Sequence, residues 1–206
     1  MVPTCLNEPT SIPAKQFYEL LVIGGSAGGI PALQLILSCL SATFPIPIVI
    51  VQHLSAREPS RLAEVLARFT RLQCRWAQDG DVPHAGSILV APPGGSLMLT
   101  SARVLRRTDG SKPPLGWPSI DLLLQSAAMQ FGPRLIAVVL SGVLRDGSAG
   151  ILAVRRSGGA TIAQDYRSAT FSDMPAAAVE FGRADLMLPV EQIGGALQIL
   201  AERDAD

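Results

Sequence analysis

Three short apolar runs, Leu20–Ile23, Ile46–Val51 and Leu135–Leu140, each end at a glycine or a polar side chain and each lead into a helical pattern. The runs are continuous and not alternating, so a strand made from any of them is buried on both faces. Helices that cross between parallel strands create that condition. Ile30–Leu40 behind Pro31, Pro59–Phe69 and Ser148–Arg156 supply the helical spacing, with Leu62, Val65, Leu66 and Phe69 read as one apolar face. The expected fold is α/β, a doubly wound, mostly parallel sheet in a Rossmann-like three-layer sandwich.

The middle of the chain departs from this alternation. Ile88–Ala91 and Ser96–Thr100 flank Pro92–Pro93–Gly94–Gly95, with Arg103–Arg107 following, and this stretch reads as a small antiparallel hairpin or meander. Ser119–Phe131 then reads as a helix with Ser119 as N-cap and Asp121 in its first turn. Ala160–Ala163 and Leu186–Leu188 are further short strands, and Pro175–Phe181 and Glu191–Glu202 further helices. Residues 1–17, rich in Pro, Ser, Thr and Asn, read as a flexible leader, and 18–206 as a single domain.

Composition narrows the partners. A chain of 206 residues with 48% hydrophobic content buries roughly 70% of its unfolded surface and needs neither disulfide nor metal to form a core. Its 17 basic and 17 acidic residues cancel, which excludes a polybasic nucleic-acid binder. No apolar run nears the ~20 residues of a membrane span, and the start lacks the basic and apolar parts of a signal peptide. Cys5, Cys39 and Cys74 are odd in number and without metal spacing, and read as reduced, packed thiols of a cytoplasmic protein. The two histidines are far apart and the acidic residues cluster only at Asp79–Gly80–Asp81, so a metal is not expected.

In doubly wound sheets the chemistry gathers beyond the carboxyl ends of the strands. After the first strand stands Gly24–Gly25–Ser26–Ala27–Gly28–Gly29. A Walker A loop fails, because Ile30 and Pro31 replace its Lys and Ser/Thr, and a dinucleotide fingerprint is weakened by Ser26 or Ala27 at its third position. Gly-x-Ser-x-Gly is satisfied at Gly24, Ser26 and Gly28, placing one exposed hydroxyl on a sharp strand-to-helix turn that faces helix amides. A capping serine in a glycine-rich turn is the plain alternative.

His53 directly follows the second strand and should emerge on the same rim as Ser26, whereas His84 lies in a turn and reads as a solvated loop residue. Asp146 follows the third long strand. Its plain role is N-cap of the helix behind it; its functional role is to accept the Nδ1 proton of His53 and orient the ring. Ser26, His53 and Asp146 thus form a candidate nucleophile, base and acid. Their chain order departs from the Ser, acid, His order of α/β-hydrolases.

At these residues the chain resembles the catalytic domain of chemotaxis protein-glutamate methylesterases, the CheB family. The resemblance runs from about Leu20 to Pro189 and includes Ile23–Gly29, Val51–Gln52–His53, Pro118–Ser119–Ile120–Asp121, Leu140–Ser141–Gly142 with Asp146–Gly147, Arg156–Ser157–Gly158–Gly159, Ala163–Gln164–Asp165 and Met174–Pro175. It implies hydrolysis of glutamate γ-methyl esters, and in some members deamidation of glutamines, on methyl-accepting chemotaxis receptors, without a cofactor. Ser26 matches the family's nucleophile, His53 its base and Asp146 its orienting acid, and the resemblance implies Ala27 and Val143 as the backbone positions of the oxyanion pocket. Family members usually read Gly-Met-Gly-x-Asp-Gly where this chain has Gly142–Val143–Leu144–Arg145–Asp146–Gly147, and Gly116–Trp117 stands where a basic or His-containing pair is common. An amide survives Met to Val, but a conformation suited to glycine transfers poorly to Leu. Family members also commonly carry a phosphorylated receiver domain, for which the leading residues have no room, so the expectation is a chain that acts unregulated, receives control from a separate protein, or is an excised domain. The alternatives are an anion- or nucleotide-binding module using the Gly24–Gly29 turn, and a weakened member that binds receptors without hydrolysis.

Overall fold

A computed structural model describes residues 17–55, 59–108 and 119–202. Apart from Phe17, the expected leader lies outside the described residues, as do Cys5, Gly116–Trp117 and Pro118. The elements run β1 (Leu20–Gly25), α1 (Gly29–Ser38), β2 (Ile48–Gln52), α2 (Leu62–Leu66) with a 3₁₀ turn over Ala67–Phe69, β3 (Gln73–Trp76), β4 (Ser87–Val90), β5 (Leu97–Leu99), β6 (Leu105–Arg107), α3 (Ile120–Phe131), β7 (Leu135–Val139), α4 (Ser148–Arg156), β8 (Ala160–Gln164), α5 (Asp173–Glu180), β9 (Leu186–Leu188) and α6 (Val190–Ala201).

Seven strands form one sheet in the order β3-β4-β2-β1-β7-β8-β9, and every pairing in it is parallel. Strands β1, β2, β4, β7 and β8 are buried along their whole length, which is why their sequences are apolar without alternation. Alternate residues serve opposite layers. Leu21 and Ile23 join a core with Leu33, Ile36 and Leu37 of α1, Leu66 of α2 and Ile193 and Leu197 of α6. Leu20 and Val22 join another with Leu123 and Leu124 of α3, Ile151 and Val154 of α4 and Met174 and Ala178 of α5.

The middle of the chain is divided differently from its sequence reading. Ile88–Val90 belongs to β4 inside the parallel sheet, and the antiparallel hairpin is β5 with β6 alone. Strand β3 carries no apolar run because it is an edge strand with its outer residues exposed, a pattern that periodicity does not register. The helix expected over Pro59–Phe69 is shorter, and Phe69 is exposed rather than on the apolar face. Cys39 is exposed as well, against the expectation of a packed thiol, while burial and the nearby Glu64 push the half-buried Cys74 thiol up to about 11.

From β1 the chain moves toward β2 on one side, and later returns to lay β7 on the other. The strand order therefore reverses between β1 and β7, where a crevice opens beyond the carboxyl ends. Helices α3 and α4 border it and approach each other closely at Gly150, where an added Cβ would stand 2.5 Å from the Leu124 Cβ. Gly150→Val should therefore destabilise the fold by about 1–3 kcal/mol despite any gain in helix propensity. Urea denaturation checks this; unchanged stability would mean that the two helices are not held at this separation.

Candidate active site

The sheet register brings two of the three candidate side chains together. Gly25 pairs with Gln52, and the ladder continues past both strands: His53 N–H donates to Gly25 O at 3.0 Å and Ser26 N–H to Ser141 O at 2.9 Å. Ser26 and His53 thus leave adjacent strands side by side. Ser26 Oγ lies 3.1 Å from His53 Nδ1, and His53 Nε2 lies 2.8 Å from Asp146 Oδ2. All three candidates meet, while His84 stays exposed in its turn with its ring beside Ala85 O.

The ring is turned opposite to the expected orientation. Asp146 faces Nε2, not Nδ1. The physical reason is reach: Nδ1, nearer the backbone, meets the adjacent strand's serine, while the distal Nε2 extends past β1 to a carboxylate that follows β7. In the neutral ring an Nε2–H donated to Asp146 leaves the Nδ1 lone pair for the serine hydroxyl, at a separation suited to proton transfer.

Ser26 is also not exposed as expected; it retains 8% of its accessible surface. Gly142 lies against it, since a Cβ added there would stand 2.8 Å from the Ser26 Cβ and collide with Met174 Sδ. Gly24 allows a second approach, because a Cβ at that position would come within 2.5 Å of Ile120 Cγ2 at the start of α3. Gly28, at φ 76°, turns the chain into α1 in a conformation that costs other residues about 1 kcal/mol or more.

Asp146 does not cap the helix behind it. That helix, α4, begins after Gly147 without a side-chain cap of its own N-cap residue. The Asp146 carboxylate turns to α3 instead, accepting the N–H groups of Ile120 at 2.8 Å and Asp121 at 2.9 Å. Ser119 caps α3 as expected, its Oγ accepting from Leu122 N. Burial alone would raise the Asp146 pKa, but the His53 hydrogen bond and the amides of Ile120 and Asp121 outweigh it and hold the carboxyl below its ordinary value. The positive end of the α3 dipole acts in the same direction.

Among the described residues, no acceptor takes the N–H of Ala27 or of Val143, the two backbone candidates. Leu144 adopts φ 68°, the region glycine enters freely, and its side chain remains 62% exposed. Sequence reasoning gave no role to the polar residues that tie the loops together. Gln52 Nε2 donates to Ser26 O at 2.6 Å, and Ser141 Oγ donates to Ala27 O at 2.8 Å while accepting from Phe171 N at 2.9 Å. Gln164 Oε1 accepts from Ser141 N at 2.8 Å. Polar residues closing otherwise apolar strands were the signal available for them.

A family profile described as CheB methylesterase matches residues 21–197. The chain is 41% identical over 182 residues to a protein-glutamate methylesterase/protein-glutamine glutaminase of Anaeromyxobacter dehalogenans, covering 88% of this chain and 53% of that protein. A putative protein-glutamate methylesterase/protein-glutamine glutaminase of Leptospira interrogans is 35% identical over 176 residues, covering 85% of this chain and 91% of the relative. The crystal structure of the Thermotoga maritima CheB methylesterase catalytic domain superposes with a TM-score of 0.83 at 33% identity, covering 89% of this chain and 98% of that one. The chain spans about half the length of several of the curated relatives it matches.

The strained position offers a test of the loop. Leu144→Gly should leave stability unchanged or raise it by up to about 1 kcal/mol, because relief of the positive φ offsets the greater freedom of glycine in the unfolded chain. Leu144→Val should lower it by a similar amount. Thermal unfolding of the pair decides; equal loss in both would deny the left-handed conformation.

Proposed function

The chain belongs to the CheB methylesterase family, and from that premise we propose that it is a serine hydrolase that cleaves glutamate γ-methyl esters on methyl-accepting chemotaxis receptors and can deamidate receptor glutamines. The observation that carries this reading is the hydroxyl, imidazole and carboxylate in line, at 3.1 and 2.8 Å, at the carboxyl edge of the sheet. The names of the relatives support both ester and amide substrates. No helix among the described residues is long and apolar enough to cross a membrane. The reading places the enzyme in the cytoplasm, acting on the receptor's soluble part, with a separate regulatory protein as a further possible partner.

In this mechanism His53 Nδ1 takes the Ser26 proton as Oγ attacks the ester carbonyl carbon. The oxyanion forms beside the free amides of Ala27 and Val143, where donors in place before the reaction contribute most. Collapse of the tetrahedral species expels methanol, protonated by His53, and leaves a glutamyl ester on Ser26. Water then gives its proton to Nδ1 and attacks the acyl carbon; the carboxylate leaves and Ser26 recovers its proton. With a glutamine substrate the leaving group is ammonia. Asp146 keeps the proton on Nε2 and stabilises the imidazolium that forms at each transfer.

An anion cradle made by the Gly24–Gly29 turn has no use for a histidine held against Ser26 by a buried carboxylate, and that observation favours the hydrolase. Leu144 takes the positive φ that glycine enters freely, which argues against a member weakened by the loss of glycine at that position.

Ser26→Ala and His53→Ala should each reduce methanol release from methylated receptor membranes by about 10⁴-fold or more, and Asp146→Asn by about 10³-fold or more. Circular dichroism should show the Ser26 variant folded. Undiminished methanol release from the folded Ser26→Ala protein would remove the serine from the reaction.

A further inference from the structure

Helices α3 and α4 start side by side, and each is capped by an aspartate belonging to the other's N-terminal segment. Asp146, just ahead of α4, accepts from Ile120 and Asp121 of α3. Asp121, in the first turn of α3, returns the arrangement: its Oδ1 accepts from Gly147 N at 3.0 Å and Gly150 N at 2.7 Å. Gly147 directly follows Asp146 and has φ 99°, so the loop that presents the acid to His53 is fixed at its far end by Asp121. Two hydrogen bonds to one carboxylate, of the strong charge-assisted kind, hold that loop in place.

We propose that Asp121 is a positioning residue for the Ser26 chemistry, which clamps the loop carrying Asp146 and sets a second carboxylate behind the one that faces His53. The proposal rests on the reading of Ser26 as the nucleophile and adds to it a residue that touches neither substrate nor the serine.

The pair has an electrostatic consequence. Burial first, and then the charge of Asp146, push the Asp121 carboxyl up to about 6. Asp146, with His53 beyond it, is what faces Asp121 from the β7–α4 loop. Strands β1, β5 and β7, which pack on α3, contain no titratable side chain, and Arg155 and Arg156 stand at the opposite end of α4. Arg134 lies past the other end of α3, and the Arg145 guanidinium covers the Phe181 ring. An ionised Asp121 adds negative potential behind Asp146 and favours the imidazolium form of His53. Removing that charge moves loss of the base to lower pH.

The test is the rate at which a fluorophosphonate labels Ser26, followed across the acid limb for the wild type, Asp121→Asn, Asp121→Ala and Ser26→Ala. Asp121→Asn keeps an oxygen acceptor for the two glycine amides, loses the charge and places an NH2 donor where the second carboxylate oxygen stood. Its plateau rate should remain near wild type, with the acid limb displaced by about half a pH unit toward lower pH. Asp121→Ala loses the clamp, and its plateau should fall by up to about 100-fold. An unmoved limb in Asp121→Asn, or an unchanged plateau in a folded Asp121→Ala protein, overturns the assignment while leaving the serine reading intact. If Asp121→Ala does not fold, the limb of Asp121→Asn decides alone. If the wild type is not labelled at Ser26, the serine reading fails and this inference with it.

Discussion

A buried carboxylate needs donors, and the one at Asp146 draws them from two separate parts of the fold. His53 at the end of β2 supplies Nε2, and the first turn of α3 supplies two backbone amides. With 3% of its surface exposed, this group could not remain charged without them. The same contacts fix the ring of His53 and hence the nitrogen that meets Ser26. They also join the β2 edge of the crevice to the helices on its other side. Loss of the carboxylate would free the imidazole and leave the Ile120 and Asp121 amides at the start of α3 without their acceptor.

The sheet supplies the frame for this contact. Because strand order reverses between β1 and β7, the three loops after β2, β1 and β7 share one rim. Glycine at 24 lets Ile120 come down on the end of β1, and glycine at 142 lets Met174 and Ser26 close on each other. The glycines of the two loops therefore bring these side chains within reach of one another. Preorganisation of this kind is paid for during folding, not at the moment of reaction.

The layers of the fold were legible in the sequence because burial on both faces leaves a continuous apolar signature, as in Leu20–Ile23 and Leu135–Val139. Strand β3 was not, since an edge strand with Gln73 and Arg75 outward has no such signature. Which residues lie past strand ends was legible too, and this brought Ser26, His53 and Asp146 forward together. Their orientations were not. Whether Nδ1 or Nε2 of His53 meets Asp146 depends on lateral strand order, and whether Asp146 caps the helix behind it or α3 depends on how helices pack. Neither quantity is local in sequence. The partner role of Asp121 was hidden for the same reason, although its place in the first turn of α3 was plain.

The central claim is that His53 holds its proton on Nε2, toward Asp146, and offers a bare Nδ1 to Ser26. Nitrogen-15 NMR of the imidazole, with the His53 signals separated from those of His84 by a His84→Gln variant, reads this directly. Above the ring's titration the account predicts a protonated Nε2 in a strong hydrogen bond that disappears in Asp146→Asn, with Nδ1 unprotonated. A neutral ring carrying its proton on Nδ1, indifferent to the Asp146 substitution, would contradict it.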